Sequence, residues 1–340
     1  MDADLSKLFR HESNLFMPEQ LMRRLYSSFS CPGAQNHERD MNCRKACKYR
    51  CCRCIRAFDE IIRRYSLISI LNTTDYDRGD QMDSRNISFE GIRNARDLGG
   101  LHTTDGHIIA SGRLLRSANL ADATDADRVS LHEKWHLARV IDLRTETERS
   151  EQPDVVPENA AYLPVPVFDG QVEGISHEKS QGLSQIGVMI PEMESLYRMM
   201  VTDESCRRNL GRAAECVMEH DFTKGSVLWH CTEGKDRCGL LTAVLLTALC
   251  VDRQQIVEDY MLTNEVNSSR AEAYYRQMLA AGKAEPEAVA VKNAFLAKTS
   301  YISEAFAAMD EQYPDMETCL CEGLHISHES IVKFRKSVLL

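Results

Sequence analysis

The sequence predicts an α/β fold, a mostly parallel sheet flanked by helices, and three features of the 340-residue chain indicate it. From Ser88 onward, short apolar stretches alternate with stretches of helical periodicity, and we find no internal repeat. The apolar stretch GSVLWH is followed closely by an apolar helix, as in the strand-helix units of parallel sheets. Apolar residues make up 43 % of the chain, enough for a sizeable core.

The predicted elements follow one another in a simple order. A turn at Asp105-Gly106 precedes the strand GRLLRSANL, and Asp122 and Thr124 are candidate N-caps of the helix DADRVSLHEKW. The chain continues with the strand LARVIDLR, the extended AYLPVPVF, the helices PEMESLYRMMV and CRRNLGRAAECVMEH, the strand GSVLWH and the helix CGLLTAVLLTALCV. After Tyr260 we expect helices to the end of the chain.

The composition changes near residue 82 and suggests two domains, 1–81 and 82–340. Residues 1–81 hold 14 Lys and Arg against 11 Asp and Glu, whereas the whole chain has a net charge of −10. They also hold six of the 13 cysteines, four of them at near-helical spacing: Cys43, Cys47, Cys51 and Cys54. We interpret this segment as a basic, Cys-rich extension without a catalytic role. A metal site, a basic face for a membrane or partner, and a translation start at Met82 are alternatives.

Charge and hydropathy exclude some classes of function and indicate a location. The net charge of −10 argues against a nucleic-acid binder held by bulk electrostatics. The longest apolar run, Leu240–Val251, is well short of the ~20 residues of a membrane-spanning helix. Charges within the first ten residues interrupt any signal peptide, and the odd cysteine number suggests a reducing compartment. We therefore expect a cytoplasmic protein, with non-classical secretion left open and the oligomeric state undetermined.

The chemistry of the chain is carried by the segment VLWHCTEGKDRCG, predicted to run from strand through loop to helix. Cys231 and Arg237 are separated by five residues, a spacing that lets the loop wrap around an anion. Backbone N–H groups from Thr232 to Arg237 would point inward, and the dipole of the following helix would favour negative charge. Arg237 would close the ring, because its planar fork binds two phosphate oxygens at once.

In this arrangement Cys231 lies at the floor of a phosphate site. Helix N-termini and nearby cations favour the thiolate form of a cysteine, and a thiolate there would attack phosphorus and form a phosphocysteine. The loop donors and Arg237 would stabilise the charge on the equatorial oxygens in the transition state. They also make a metal or other cofactor unnecessary. We expect His230 to hold the loop by hydrogen bonds, and the phosphate-binding residues to be Thr232, Glu233, Gly234, Lys235 and Cys238.

The sequence resembles the bacterial and fungal tyrosine phosphatases whose loop reads HC-x-x-GKDR-[TS]-G. The resemblance covers residues 88–340 through NARDLGG, RLLRSANL, VIDLRTETERSEQPD, HCTEGKDRCG, IVEDYMLTN and AMDEQYPDMETCLCEGLHIS. It implies a cysteine-phosphatase fold and a catalytic domain at 82–340, with helices at about 268–298 as a candidate lid. It also implies hydrolysis of phosphotyrosine in proteins. Phosphoinositides are an alternative substrate, and a phosphate-binding module with little turnover is an alternative of another class.

The resemblance implies further site residues. Asp236 would be the general acid that protonates the leaving oxygen, a role worth ~10²–10⁴ in rate. Asp169 in PVFDG is a rival, and Asp142 is a third candidate that we interpret as structural together with Arg144. Lys235 would add a second cation at the pocket rim. The chain departs from the family at Cys238, where Thr or Ser is usual. A thiol is a weaker donor, so the phosphocysteine would turn over more slowly.

Other residues are candidates for the pocket wall. We expect Arg96 and Asp97 in NARDLGG to form an ion pair there. Arg116 and Arg144 are candidates for substrate contact, with a purely structural role as the alternative. Glu233 places a negative charge beside the anion site, so we expect it to point outward, either towards basic peptides or into solvent.

Overall fold

The computed structural model describes residues 85–168 and 192–340, which all belong to a compact unit spanning Gln81–Leu340. The predicted extension 1–81 and Met82 lie outside the described residues, so the interpretation of that segment stays a prediction. Asp169 lies outside them as well.

A five-stranded sheet runs through the unit in the order β1-β2-β5-β3-β4. The strands are β1 Arg96–Asp97, β2 Leu114–Ser117, β3 Leu137–Asp142, β4 Ala161–Pro164 and β5 Ser226–His230. All neighbouring strands are parallel except β1, which pairs antiparallel with β2 at one edge. The predicted mostly parallel sheet is confirmed. The edge strand β1 was missed because two residues show no alternation of apolar and polar side chains.

Helices cover the sheet and make up the C-terminal part of the chain. They are α1 Asp125–Glu133, α2 Glu146–Glu151, α3 Met193–Thr202, α4 Glu204–Met218, α5 Asp236–Ala248, α6 Arg253–Met261, α7 Thr263–Ala280, α8 Glu285–Phe295, α9 Thr299–Gln312, α10 Met316–Thr318 with a π-helical turn at Cys319–Gly323, and α11 His328–Val338. Thr124, and not Asp122, is the N-cap of α1. Among the described residues, no helix is both long and apolar enough to cross a membrane.

Apolar side chains pack against both faces of the sheet. Ile141 and Trp229 belong to the larger core, whereas their strand neighbours Val140 and Leu228 belong to a second cluster on the opposite face. Every residue of β5 is buried. The Trp229 indole donates a 3.0 Å hydrogen bond to the Thr242 hydroxyl, which ties β5 to α5. The loop between β5 and α5 is therefore anchored at both ends by rigid, buried elements.

Candidate active site

The loop Cys231–Lys235 joins the carboxyl end of the central strand β5 to the first turn of α5. Cys231 is the first residue of this connection and is 2 % exposed. Gly234 has a φ of +66°, and a Cβ at this position would lie 2.5 Å from the Ser117 carbonyl oxygen. Only glycine meets both conditions without displacing β2, so this residue sets the curvature of the loop.

The guanidinium of Arg237 forms a buried bidentate pair with Glu148. Arg237 Nη1 lies 2.6 Å from Glu148 Oε2, and Nη2 lies 2.7 Å from Oε1. The Thr232 hydroxyl also donates to Glu148 Oε1, at 2.7 Å. Burial works to raise the pKa of Glu148, but the charge of Arg237 and these hydrogen bonds outweigh it and lower the pKa to about 2. Glu148 therefore fixes Arg237 and the start of the loop at the same time.

Glu148 was missed by sequence reasoning, which placed no helix after β3. Helix α2 begins with a capping box in which Glu148 accepts from the backbone of Thr145 and the Thr145 hydroxyl accepts from the Glu148 backbone. The signal was present as Thr-x-x-Glu directly after a buried strand. The residue that caps α2 is thus the same one that pairs with Arg237.

Side chains from the neighbouring elements bind the carbonyl groups of the loop. Asn94 Nδ2 donates to the carbonyls of residues 233 and 234 at 3.0 and 3.1 Å, and Arg116 Nη2 donates to that of residue 234 at 2.8 Å. Asn119 Nδ2 donates to the carbonyl of Thr232 at 3.2 Å. Because the two polar groups of a peptide plane point in opposite directions, carbonyls held outside direct the following N–H groups inward, as an anion nest requires.

Asp259 on α6 is the buried centre of an arginine cluster behind the loop. Its carboxylate contacts Arg116 at 2.9 Å, Arg85 at 3.2 Å and Arg96 at 3.5 Å, and Asp259 and the guanidinium groups of Arg96 and Arg116 are almost fully buried. Burial opposes ionisation of Asp259, but these arginines lower its pKa. Arg116 bonds both Asp259 and the loop, so it positions the loop. These contacts favour a structural role for Arg116 over contact with substrate.

The expected ion pair between Arg96 and Asp97 is wrong. Consecutive residues of a strand point to opposite faces, and Arg96 pairs with Asp259 instead. Asp97 accepts from the Ser111 hydroxyl at 2.5 Å and from the Gly112 backbone at 2.8 Å. Asp97 therefore closes the turn between β1 and β2.

A second buried cluster supports His230. Arg144 Nη2 lies 2.8 Å from Asp142 and 2.7 Å from Asp154, and His230 Nε2 lies 3.1 Å from Asp154. Burial lowers the pKa of His230, but the two carboxylates raise it above its ordinary value. Its Nδ1 lies 3.2 Å from the carbonyl oxygen of Cys231, the hydrogen bond expected of a residue that holds the loop.

The same cluster contains Arg144, a candidate for substrate contact, and Asp142, a candidate general acid. Arg144 is fully buried between two carboxylates, and Asp142 accepts hydrogen bonds from Arg144 and from the Tyr162 hydroxyl. Both arrangements favour the structural interpretation. Asp142, Asp154 and His230 have the side-chain types of a metal site, but the Arg144 guanidinium already lies against both carboxylates.

The candidate general acid Asp236 is the first residue of α5, and its side chain is 13 % exposed. Its Oδ1 accepts a 2.8 Å hydrogen bond from the Tyr197 hydroxyl and lies 3.3 Å from Lys235 Nζ. The predicted rim position of Lys235 is wrong, because this side chain is 1 % exposed. Its ammonium donates to the carbonyls of Ala294 and Leu296, so the end of α8 covers it.

Glu233 is also buried, contrary to the expected outward orientation. Its Oε2 contacts Arg270 on α7 at 2.6 Å and Arg93 at 3.1 Å, and two opposing positive charges explain why the carboxylate is tolerated there. Helices α7 and α8 span the predicted lid segment, and both contact the loop between β5 and α5 through Glu233 and Lys235. A lid movement of this pair stays a prediction.

Cys238 lies in the first turn of α5 and is fully buried. Its thiol donates to the Trp229 carbonyl oxygen, with a sulfur-to-oxygen distance of 3.7 Å. Burial raises the pKa of this thiol to about 11, so it remains protonated at neutral pH. Its expected contact with phosphate stays a prediction.

The chain is similar to a family of known proteins and to several of its members. The model of the tyrosine phosphatase family matches residues 87–340. A predicted tyrosine-protein phosphatase of Cupriavidus necator is 28 % identical over 243 residues, which cover 71 % of this chain and 84 % of that protein. The triple specificity protein phosphatase PtpB of Mycobacterium tuberculosis is 29 % identical over 199 residues, 52 % of this chain and 68 % of that protein. Among solved structures, the core catalytic domain of the PP-IP phosphatase SIW14 from S. cerevisiae aligns at 16 % identity and a TM-score of 0.30, covering 52 % of this chain and 78 % of that one.

Proposed function

The chain belongs to the tyrosine phosphatase family, and from that membership we propose that it hydrolyses phosphotyrosine in proteins through a phosphocysteine at Cys231. One observation carries the proposal. Cys231 lies under a loop whose carbonyls are bound from outside, and the loop is closed by Arg237 in a fixed orientation. We infer from these contacts that positive charge, inward N–H groups and a sulfur nucleophile converge on one point, as transfer of a phosphoryl group to sulfur requires.

In the first step, the Cys231 thiolate attacks phosphorus opposite the leaving oxygen. The sulfur–phosphorus bond forms while the bond from phosphorus to the tyrosine oxygen breaks. Asp236 gives its proton to that oxygen, so tyrosine leaves as a neutral phenol. Arg237 has five N–H donors, and Glu148 takes one from each terminal nitrogen. Nη2 also donates to the Thr232 hydroxyl at 3.3 Å, so Nε–H and the second N–H of Nη1 remain for phosphate oxygens.

In the second step, water attacks the phosphocysteine. Asp236, now a carboxylate, accepts a proton from that water, the phosphorus–sulfur bond breaks, and the thiolate and inorganic phosphate are released. The Cys238 thiol supports slow hydrolysis of this intermediate, because it is a weak donor and its S–H is directed at the Trp229 carbonyl oxygen. Cys238 is also the feature that favours the alternative of a phosphate-binding module with little turnover.

Burial of the nucleophile supports an aryl substrate. Cys231 is 2 % exposed at the bottom of its loop, so a long, rigid phosphotyrosine side chain reaches it more readily than a short phosphoserine. Phosphoinositides remain a second candidate substrate, because Arg93 and Arg270 beside the loop are each 27 % exposed and could contact a second phosphate. The partner is therefore a phosphorylated protein or a phosphoinositide.

The state of the cysteines supports a location in the cytoplasm. All seven cysteines of the described residues are free thiols, including the exposed Cys250. Proteins of oxidising compartments usually pair their cysteines.

The test is hydrolysis of p-nitrophenyl phosphate, with EDTA and a reductant present, by the full chain and by Cys231→Ser. We expect turnover by the wild type and none by the variant, because serine has no thiolate to attack phosphorus. Equal activity of the two proteins would reject Cys231 as the nucleophile. A phosphotyrosine peptide and a monophosphorylated phosphoinositide are then compared by kcat/KM, and a preference for the lipid would replace the protein substrate by the second candidate.

A further inference from the structure

A pair of buried tyrosine hydroxyls holds the proposed general acid. Tyr197 on α3 donates a 2.8 Å hydrogen bond to Asp236 Oδ1, and its oxygen lies 2.7 Å from the hydroxyl of Tyr260 on α6. The two rings meet edge to face, with centroids 6.0 Å apart. Tyr197 is 0 % exposed and Tyr260 is 1 % exposed, so the packing of two helices fixes this pair.

The direction of the hydrogen bonds follows from the number of protons. A phenol has one O–H donor, and that of Tyr197 is used on Asp236. The short contact between the two hydroxyls is therefore donated by Tyr260 and accepted by Tyr197. Burial and the nearby Asp236 raise the pKa of Tyr197 well above its ordinary value, and burial does the same for Tyr260. Both phenols remain donors throughout the neutral range.

The contacts that Tyr197 and Lys235 make with Asp236 fall on only one of its two carboxylate oxygens. Tyr197 and Lys235 both contact Oδ1, so among the described residues the donors converge on the same atom. An oxygen that accepts a hydrogen bond and lies beside an ammonium group is a poor site for a proton, whereas Oδ2 is available to carry it. The Asp236 side chain is 13 % exposed, which gives a proton on Oδ2 a route to the substrate.

We propose that Tyr197, supported by Tyr260, is a positioning residue that orients Asp236 so that Oδ2 delivers the proton to the leaving oxygen. This inference rests on the proposed function, because it takes Asp236 as the general acid. It assigns a role to the contact between α3, α6 and the catalytic loop that local sequence patterns do not reveal. Along the chain, Tyr197 is 39 residues from Asp236 and 63 residues from Tyr260.

The experiment compares two substrates that differ in their need for a proton. Phenyl phosphate releases a phenol as basic as tyrosine, whereas p-nitrophenyl phosphate releases a much weaker base that leaves without help. We expect Tyr197→Phe to lower kcat/KM, which reports the steps up to release of the leaving group, about tenfold on phenyl phosphate and less than about threefold on p-nitrophenyl phosphate. Tyr260→Phe shows the same pattern with a smaller loss. The ratio of the two kcat/KM values is measured within one preparation, so an inactive fraction cancels.

Two further variants make the result specific. Tyr301→Phe is the matched control, because its ring lies 5.9 Å from that of Tyr197 while its hydroxyl donates to the Asn293 carbonyl. We expect it to leave the ratio unchanged. Asp236→Asn is expected to lose more activity on phenyl phosphate than Tyr197→Phe does, and adding Tyr197→Phe to it should have no further effect on the ratio.

The outcomes separate this inference from the function on which it rests. If Tyr197→Phe lowers both kcat/KM values by the same factor while Asp236→Asn still changes their ratio, the positioning role is wrong and Asp236 remains the general acid. If Asp236→Asn also leaves the ratio unchanged, the general-acid assignment fails and the inference fails with it.

Discussion

Replacing Glu148 by glutamine tests how far Arg237 depends on its buried partner. The substitution keeps the shape of the side chain and one acceptor oxygen, but it removes the charge and one of the two bonds to Arg237. The two side chains are only 8 % and 2 % exposed, so solvent does little to compensate.

The magnitude follows from the pKa of Glu148. Its fall from an ordinary 4.5 to about 2 corresponds, at ~1.4 kcal/mol per pKa unit, to ~3 kcal/mol in favour of the charged form. This agrees with the ~3–5 kcal/mol found when one partner of a buried ion pair is removed. We therefore expect Glu148→Gln to lower the free energy of unfolding by ~3 kcal/mol and kcat/KM by about 10- to 100-fold.

Urea unfolding and steady-state hydrolysis of p-nitrophenyl phosphate measure the two effects. Glu146→Gln is the control, because it makes the same charge change on an exposed residue of the same helix turn. We expect the control to stay within about twofold of the wild type. A Glu148→Gln protein as active as the control would refute the reasoning. A rise in kcat/KM would show that Glu148 competes with phosphate for Arg237.

Further predictions concern pH, the arginine cluster and the loop glycine. Because the folded pKa of Glu148 lies below its ordinary value, its contribution to stability is complete above about pH 4.5 and is lost as the pH falls towards 2. Acid titration of stability should show a steeper loss for the wild type than for Glu148→Gln. Asp259→Asn should cost ~3–5 kcal/mol in urea unfolding, because three arginines lose their common carboxylate, and a cost below about 1 kcal/mol would contradict this. Gly234→Ala should abolish most activity, whereas Gly282→Ala, at a positive φ with open space around it, should lower stability by only ~1 kcal/mol and leave kcat unchanged. Equal effects of the two substitutions on kcat would contradict the argument that a Cβ at position 234 collides with the Ser117 carbonyl oxygen.

The central strand, loop and helix were predictable because their signals are local. An apolar strand, a cysteine and an arginine five residues apart and an apolar helix all lie within residues 225–251. This segment specifies both the middle of the sheet and the phosphate site. The antiparallel strand β1 and the short helix α2 carry only two and six residues, too few for a periodic pattern.

The partners of the site residues were harder to predict because they are distant in sequence. Asp259 lies more than 140 residues from Arg96 and Arg116, and Ala294 lies 59 residues from Lys235. Neighbouring residues therefore suggested the wrong ion pair for Arg96 and an exposed position for Lys235. Only the packing of α6 and α8 against the loop decides these contacts.

The most direct test of the account is to trap the covalent intermediate. The full chain is mixed with a phosphotyrosine peptide, quenched in acid within milliseconds, digested and mapped by mass spectrometry. The account predicts a phosphoryl group on Cys231 in the wild type, more abundant than in Cys238→Ser if the thiol at that position slows hydrolysis. Turnover of the peptide without any phosphorylated Cys231, or a phosphoryl group on another residue, would contradict the mechanism.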